Sequence, residues 1–204
     1  LERTSVFSVS LLRLGRFVAG TGVPSALYGC SVTAPSVAAL RSLQTAAFHA
    51  VWRSGSRSAR ELVFGLFVLW RGNPEAVSIV KPIQFLRDAI RRGVLEVESL
   101  PWLVSVAPTT GPVHAFLTAC HRAGLGVSPD ATTLITNGTR IAWISDPWFL
   151  FRQSILGGLL RKSYAAVASR RPALAALTNG VDRGLTLGFE SGPWQESRKA
   201  ALRV

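Results

Sequence analysis

The sequence predicts a mainly α-helical protein with one short β-hairpin, and three observations lead to this fold class. Apolar residues recur at three- and four-residue spacing in several segments, which is the periodicity of helices with one buried face. Several prolines stand where a first helical turn would begin. A single Asn137-Gly138 pair lies between two short β-prone segments. The 204 residues, 48% of them hydrophobic, are enough to bury a sizeable core.

Two short helices are predicted before residue 30. Residues 5–19 show a helical apolar pattern, and Gly20 and Gly22 should end that helix. Pro24 can open a second short helix, which Gly29 should stop. The N-terminal part of the chain is therefore predicted to consist of helices separated by glycines.

Three longer helices are predicted in the next part of the chain. The first spans residues 35–53 and is amphipathic, with the apolar positions Val37, Leu40, Leu43, Ala47 and Val51. An apolar-rich helix follows over residues 58–70. A further helix is expected over residues 73–92, with a disturbance at Pro82 because proline removes a backbone donor inside a helix.

A proline- and glycine-rich stretch between residues 101 and 112 marks the predicted domain boundary. We expect a helical domain over residues 1–95 and a second helical region over residues 96–204. The second region should begin with a short helix over residues 113–123.

The second region should also contain the β-hairpin and the longest helix. The hairpin is predicted near residues 132–144, because both residues of Asn-Gly tolerate the positive φ of a type I′ turn. Asp146-Pro147 should then open a long helix over residues 146–171, with Asp146 as a side-chain cap.

The charge of the chain is strongly basic. It carries 23 Lys and Arg against 11 Asp and Glu, for a net charge of +12, and 20 of the 23 are Arg. Such a charge favours polyanionic partners. Arg is suited to bidentate phosphate contacts and stacking, although codon usage in a GC-rich genome explains the Arg excess equally well.

Other features point to an intracellular segment of a longer polypeptide. The two cysteines, Cys30 and Cys120, are too few for a secreted disulfide scaffold. No cationic start followed by an apolar run indicates a signal peptide, and the longest uncharged stretches are interrupted by proline, so no membrane span is expected. The chain has no Met and begins at Leu1.

Residue constellations that perform chemistry are missing from the sequence. There is no phosphate-binding glycine loop with Lys and no convincing pair of carboxylates, since Glu96 and Glu98 are best explained as solvated. His114, Cys120 and His121 lack the second ligand pair that zinc sites usually show. We therefore predict no catalytic residue, metal site or cofactor in this chain.

The predicted nucleic-acid contacts follow two helices. On the 35–53 helix, Arg41, Thr45, His49 and Arg53 recur at four-residue spacing opposite the apolar face. A basic stripe with an aromatic at its edge suits phosphate contact plus base packing, and a solvated helix face is the equally good alternative. The full set of candidate residues is Arg41, His49, Trp52, Arg53, Arg57, Arg60, Arg161 and Lys162.

The long helix is harder to interpret. Its basic residues do not share one face on a helical wheel, and only the Arg161-Lys162 and Arg170-Arg171 pairs are candidates for phosphate contact. Its first half is apolar nearly all round and is expected in the core, with Trp148, Phe149, Leu150, Phe151, Ile155 and Leu156.

One part of the sequence resembles a known family. The run VPSALYGC over residues 23–30, followed by LRSLQTA over residues 40–46, resembles the segment just past the polymerase palm of non-LTR (LINE-type) retrotransposon reverse transcriptases. In that family a Leu-Tyr-Gly-Cys-Glu-Val-Trp-like stretch precedes a thumb helix. Ser31 and Thr33 stand here in place of the Glu and the Trp. The resemblance covers about residues 1–60, and weaker similarity to the region before the family's zinc knuckle follows near residues 146–148, 170–172 and 179–183.

The resemblance implies a thumb-like helical bundle in residues 1–95 and a linker region after it. The chain would contact the backbone of an RNA/DNA duplex through the stripe of Arg41, His49 and Arg53, beside a palm domain encoded upstream. It would not be an enzyme alone, because the family's Tyr/Phe-x-Asp-Asp motif is not in it, although the parent polyprotein would be an RNA-directed DNA polymerase. Localisation would then be nuclear.

Two other function classes stay open from the sequence. The chain could be a helical structural or interaction domain with a basic surface and no enzymatic role. It could also bind a membrane surface through the apolar segments near Phe17 and Phe64 with adjacent Arg.

Overall fold

The computed structural model of the chain describes residues 11–52, 60, 63–64, 68, 70–136 and 139–171. Within these residues the fold is mainly helical, with one small three-stranded antiparallel sheet. The predicted fold class is therefore confirmed. Residues 1–10, most of the predicted helix over residues 58–70, and the residues after 171 lie outside the described residues.

The elements follow one another in an α-rich order. The helices are α1 (Leu11–Phe17), α2 (Val23–Ala26), α3 (Val37–Val51), α4 (Pro74–Arg91), α5 (Leu100–Val106), α6 (Gly111–Ala123) and α7 (Trp148–Arg170). The strands are β1 (Gly126–Val127), β2 (Leu134–Thr136) and β3 (Thr139–Ile141). A π-helical turn (Val18–Gly22) and two 3₁₀ turns (Trp70–Gly72 and Val97–Ser99) complete the order.

The described residues divide into two compact units. Unit 1 comprises those within residues 1–24, 42–73 and 159–204, and unit 2 those within residues 25–41 and 74–158. The predicted division at residue 95 does not match these units. The reason is that the prolines of the supposed linker, Pro101 and Pro112, lie in the first turns of α5 and α6. Proline suits that position because the first helical N–H groups have no partner within the helix.

In unit 1 the predicted break at Gly20 and Gly22 is wrong. The chain continues from α1 through the π-helical turn into α2, and the N–H of Val23 donates to the carbonyl of Val18. The π-helical turn packs against the 3₁₀ turn at residues 70–72. The glycines therefore widen the helix instead of ending it, and Gly29, with φ of +84°, marks the turn that follows α2.

The packing between these two turns predicts a sensitivity at Gly72. A Cβ there would clash with the Val68 side chain and would lie 3.1 Å from both Cα and Cβ of Ala19. Because Ala19 is buried and part of its contact is backbone, we expect Gly72→Ala to lower the free energy of unfolding by about 1–3 kcal/mol. Urea denaturation measures this loss. Gly20→Ala is the matched control, since a Cβ at Gly20 meets nothing within 4 Å, and an equal loss in both variants would contradict the prediction.

Unit 2 is built on the packing of α4 against α6. Buried apolar side chains of the two helices form most of this core, namely Val77, Ile79, Val80, Ile83, Leu86, Val113, Ala115, Phe116, Ala119 and Cys120. Pro82 lies inside α4 and is buried, yet the helix runs unbroken from Pro74 to Arg91. The expected disturbance at Pro82 does not end the helix.

The β-hairpin is present as predicted, and the structure adds a third strand. Thr136 pairs with Thr139 and Leu134 with Ile141, so two residues connect β2 to β3. Those two, Asn137 and Gly138, lie outside the described residues. The extra strand, β1, pairs with β2 at the other edge of the sheet.

The start of α7 differs from its prediction in two ways. The Asp146 carboxylate accepts the N–H of Ala142 at 3.0 Å, so it stabilises the loop before the helix. The first half of α7 is not buried all round. Phe151 and Ile155 are buried, whereas Phe149 and Leu150 are 55% and 49% exposed.

Both cysteines are reduced and buried. Burial raises the pKa of the Cys120 thiol above its usual value. Burial also raises the pKa of the Cys30 thiol, and the positive charge of Lys81 offsets part of that increase. Two protonated, buried thiols act as small apolar core residues.

Candidate nucleic-acid interface

Net charge is distributed unevenly between the two units: the sequence within unit 1 has 15 Lys and Arg against five Asp and Glu, and the sequence within unit 2 has eight against six. The five acidic residues of unit 1 lie outside the described residues. The described residues of unit 1 include eight basic residues and no Asp or Glu. The eight are Arg13, Arg16, Arg60, Arg71, Arg161, Lys162, Arg170 and Arg171. The described residues of unit 2 also include eight basic residues, but six carboxylates accompany them. Those six are Glu75, Asp88, Glu96, Glu98, Asp130 and Asp146.

Most of the basic side chains of unit 1 are exposed to solvent. Six of the eight fall in the exposed class, namely Arg13, Arg16, Arg71, Arg161, Lys162 and Arg170. In unit 2 five of the eight described basic side chains are exposed as well, namely Arg41, Lys81, Arg91, Arg92 and Arg140, whereas Arg87 is only 1% exposed. The exposed basic side chains of unit 1 thus belong to the unit whose sequence has the larger net positive charge.

The structure only partly supports the predicted stripe on α3. Arg41 and His49 are exposed and Thr45 is half-buried, as one helix face requires. Arg41, however, belongs to unit 2, and the remainder of the stripe belongs to unit 1. Arg53 and the nearby Arg57 lie outside the described residues.

Two further candidates that follow α3, Trp52 and Arg60, are less exposed than contact with nucleic acid requires. Trp52 is 4% exposed, so its indole packs in the core and offers no face to a base or sugar. Arg60 is half-buried, and its Cζ lies 5.9 Å from the centroid of the Phe48 ring, a cation–π contact within the chain. The apolar periodicity of α3 continues through Trp52, and this continuation is the sequence signal for its burial.

The last part of α7 exposes its basic residues on one broad side. Tyr164 and Val167 are buried, which fixes the orientation of residues 159–170 in unit 1. The opposite face is exposed and consists of Arg161, Lys162, Ala165, Ala166, Ser169 and Arg170. Arg161 and Arg170 are nine residues, or about 2.5 turns, apart, so they lie at opposite edges of this exposed side, in line with the expectation that the basic residues do not share one narrow face.

Side chains suited to metal binding do not come together among the described residues. No group of three or more His, Cys, Asp or Glu side chains there could hold a metal ion. The ring of His114 lies 3.0 Å from the Pro108 carbonyl oxygen and 3.4 Å from the Thr118 hydroxyl, while Cys120 is 1% exposed. Glu96 and Glu98 are both exposed.

One exposed carboxylate has a local structural role. The Asp130 carboxylate accepts hydrogen bonds from the hydroxyls of Ser128 and Thr132. These bonds lower the pKa of Asp130 below its usual value. They order the turn between β1 and β2.

Comparison with known proteins gives no relative for this chain. No protein-family model, no curated protein and no solved structure matches it. Among the described residues, no helix combines the length and the apolar character needed to cross a membrane.

Proposed function

We propose that this chain is a non-catalytic segment that contacts the phosphate backbone of nucleic acid through arginine and lysine side chains. The observation that carries the proposal is the charge of unit 1: the sequence within its ranges has 15 Lys and Arg against five Asp and Glu, and most of its described basic side chains are exposed. Basic side chains that neutralise phosphates release condensed counterions, and this release drives binding without regard to sequence.

The proposal includes a biological setting that rests on the resemblance of residues 23–46. In that setting the chain follows the palm domain of a retroelement RNA-directed DNA polymerase, and it helps to hold the template–primer duplex. The described α3 and α7 would contribute through Arg41 and His49 and through Arg161 and Lys162. The polymerising residues would belong to the upstream palm.

The proposal predicts tight, salt-sensitive binding of the full 204-residue chain to a duplex. We expect the chain to retard a duplex of about 20 RNA–DNA base pairs in about 50 mM salt and to lose affinity by about 10³-fold or more at about 200 mM, because each phosphate contact adds about 0.9 to the slope of log K against log salt. Fluorescence anisotropy of a labelled duplex measures that slope.

A control tests whether the binding is independent of sequence, and one outcome would refute the proposal. A shuffled duplex of equal length should bind within about threefold of the first, since backbone contacts carry no sequence information. A duplex that stays unbound at low salt would refute nucleic-acid contact and favour a helical interaction domain whose basic surface binds protein.

A further inference from the structure

Tyr28 is the most exposed large hydrophobic side chain in the part of the chain that the structure describes, at 94%. It occupies the turn that follows α2. The residues beside it on the surface are small, since Ser25, Ala26 and Gly29 are exposed as well. Both faces of the Tyr28 ring are therefore open to a ligand.

The backbone that carries this ring is ordered. Leu27 and Cys30, on either side of the exposed pair Tyr28 and Gly29, are 8% and 5% exposed and anchor the turn in the core. The N–H of Cys30 donates to the Leu27 carbonyl at 3.1 Å, and the N–H of Thr33 donates to the Gly29 carbonyl at 3.0 Å. A tyrosine has only two side-chain torsions, so binding at this ring has a low entropic cost.

The turn lies in a basic environment. No Asp or Glu occurs in the sequence between Glu2 and Glu61. Lys81 on α4 is exposed, and its positive charge acts on the Cys30 thiol, whose pKa it lowers against the effect of burial. The turn and Lys81 belong to the same unit. An exposed aromatic ring and a basic side chain thus occur in one region of unit 2.

We infer that Tyr28 is a stacking platform for an unpaired base of single-stranded nucleic acid, with Lys81 contacting the phosphate backbone of the same strand. The inference rests on the proposed function and adds a ligand that duplex contact does not require. Bases inside a duplex are stacked on their neighbours, whereas an unpaired base has a free face. Aromatic side chains bind such faces with little regard to sequence.

The surroundings of the ring favour a base over a protein partner. Protein interfaces are usually anchored by several large side chains in a desolvated centre. Around Tyr28 the exposed residues Ser25, Ala26 and Gly29 offer little apolar area, and Val32, at 41%, is the larger exposed apolar side chain nearest in the sequence. Small neighbours allow a flat base to lie against the ring.

The first test changes the ring in the full chain and uses a labelled single strand of about 12 thymidine nucleotides. We expect Tyr28→Ala to raise the Kd about tenfold at about 50 mM salt, because one stacked base is lost. Tyr28→Phe keeps the aromatic face and should stay within about twofold, whereas Tyr28→Leu keeps apolar bulk without that face and should raise the Kd about fivefold or more. Fluorescence anisotropy measures each Kd.

A second strand separates stacking from backbone contact. It has the same length and charge, but its nucleotides are abasic, and Tyr28→Ala should change its Kd by less than about twofold. The matched protein control is Trp102→Ala, which removes another exposed aromatic ring of unit 2, close in the sequence to the exposed Glu96 and Glu98. It should change the Kd for the thymidine strand by less than about twofold.

Lys81→Gln tests the phosphate contact. It should weaken binding of the thymidine strand and the abasic strand equally, and lower the slope of log K against log salt by about 0.7, the value for one phosphate contact on a single strand. Arg91→Gln removes an exposed charge further along α4 and should change the slope by less than about 0.3. Equal changes of slope in the two variants would refute the Lys81 contact.

The outcomes separate the two proposals. If Tyr28→Ala binds the thymidine strand like the original chain, or weakens both strands equally, Tyr28 is not a stacking platform. The same conclusion follows if the original chain binds a duplex but no single strand, and in each of these cases the proposed function stands. If the original chain binds neither duplex nor single strand at low salt, the proposed function itself is wrong. Circular dichroism verifies that each variant is folded.

Discussion

Trp143→Ala is expected to lower the free energy of unfolding by about 3–5 kcal/mol. Trp143 follows the hairpin and has no exposed surface. Its ring lies 5.0 Å from that of Phe116, measured between centroids, and its Nε1–H donates to the Ala131 carbonyl at 2.9 Å. The indole therefore joins the sheet region of unit 2 to α6 by apolar burial and one buried hydrogen bond. Urea denaturation followed by circular dichroism measures the loss.

Two other variants test the causes of this loss. Trp143→Phe keeps most of the apolar packing but leaves the Ala131 carbonyl without its donor, so we expect a smaller loss of about 1–3 kcal/mol. Trp102→Ala removes an indole that is 65% exposed on α5, and its effect should stay below about 1 kcal/mol. Equal losses at Trp102 and Trp143 would show that burial does not determine the cost.

Arg87→Met is expected to raise the free energy of unfolding by about 1–3 kcal/mol. Arg87 is 1% exposed on α4, and its Nη2 donates to the Asp146 carbonyl oxygen. Its Nε and Nη1 are buried without a hydrogen-bond partner among the described residues. Burial lowers the pKa of the Arg87 guanidinium below its usual value, and the charge of Arg91 lowers it further.

The sign of the predicted change in the free energy of unfolding depends on whether the interactions that Arg87 loses are worth more than the costs of burying it. Methionine removes the bond to Asp146, worth about 1.5–3 kcal/mol, and the cation–π interaction with Trp148, whose ring centroid lies 5.5 Å from Cζ. Against these, it removes a buried charge whose desolvation costs several kcal/mol and two unsatisfied donors that cost about 1–3 kcal/mol each. Methionine also fills irregular space well.

A matched control separates burial from charge. Arg91→Met removes an exposed charge one turn further along α4 and should change the free energy of unfolding by less than about 0.5 kcal/mol. Chemical denaturation at neutral pH compares the two variants. If Arg87→Met is less stable than the original chain, Arg87 stabilises unit 2 and the assigned sign is wrong.

The sequence predicts well those elements that are encoded by neighbouring residues, such as a turn dipeptide, apolar periodicity or a proline at a helix start. The Asn-Gly pair in the sequence predicts the hairpin, and the register of β2 with β3 agrees with this prediction. The helices α3 and α4 follow from apolar periodicity and from Pro74. The π-helical turn at Val18–Gly22 is beyond such prediction, because it depends on packing against residues 70–72, far along the chain. Strand β1 has two residues, too few for any periodicity.

The division into units is beyond prediction for a similar reason. Residues 25–41 group with residues 74–158, and composition along the chain gives no sign of such long-range grouping. Prolines at helix starts and prolines in linkers look alike in a sequence, so residues 101–112 resemble a boundary although they contain the starts of two helices.

The candidate interface is predictable in part. Charge alone identifies Arg161 and Lys162, and their exposure agrees with a solvent-facing role. The exposure of Arg161, Lys162 and Arg170 depends on which side of α7 packs in the core. The sequence does not indicate that side, because the first half of α7 is apolar nearly all round. The prediction that Trp52 is available to nucleic acid is wrong, because Trp52 is buried. Its position along the helix fits both the edge of the basic stripe and the apolar face, so the sequence alone does not distinguish the two.

The uneven charge of the two units also affects how the molecule meets a charged partner. Attraction between unlike charges acts over about 8 Å at physiological salt, before any contact forms. If the chain binds a polyanion as proposed, unit 1 would attract it more strongly than unit 2, because its sequence has 15 basic and five acidic residues against eight and six in unit 2. The association rate with such a partner would then depend mainly on the charge of unit 1. Changes of surface charge in unit 2 can then accumulate with little effect on the speed of capture.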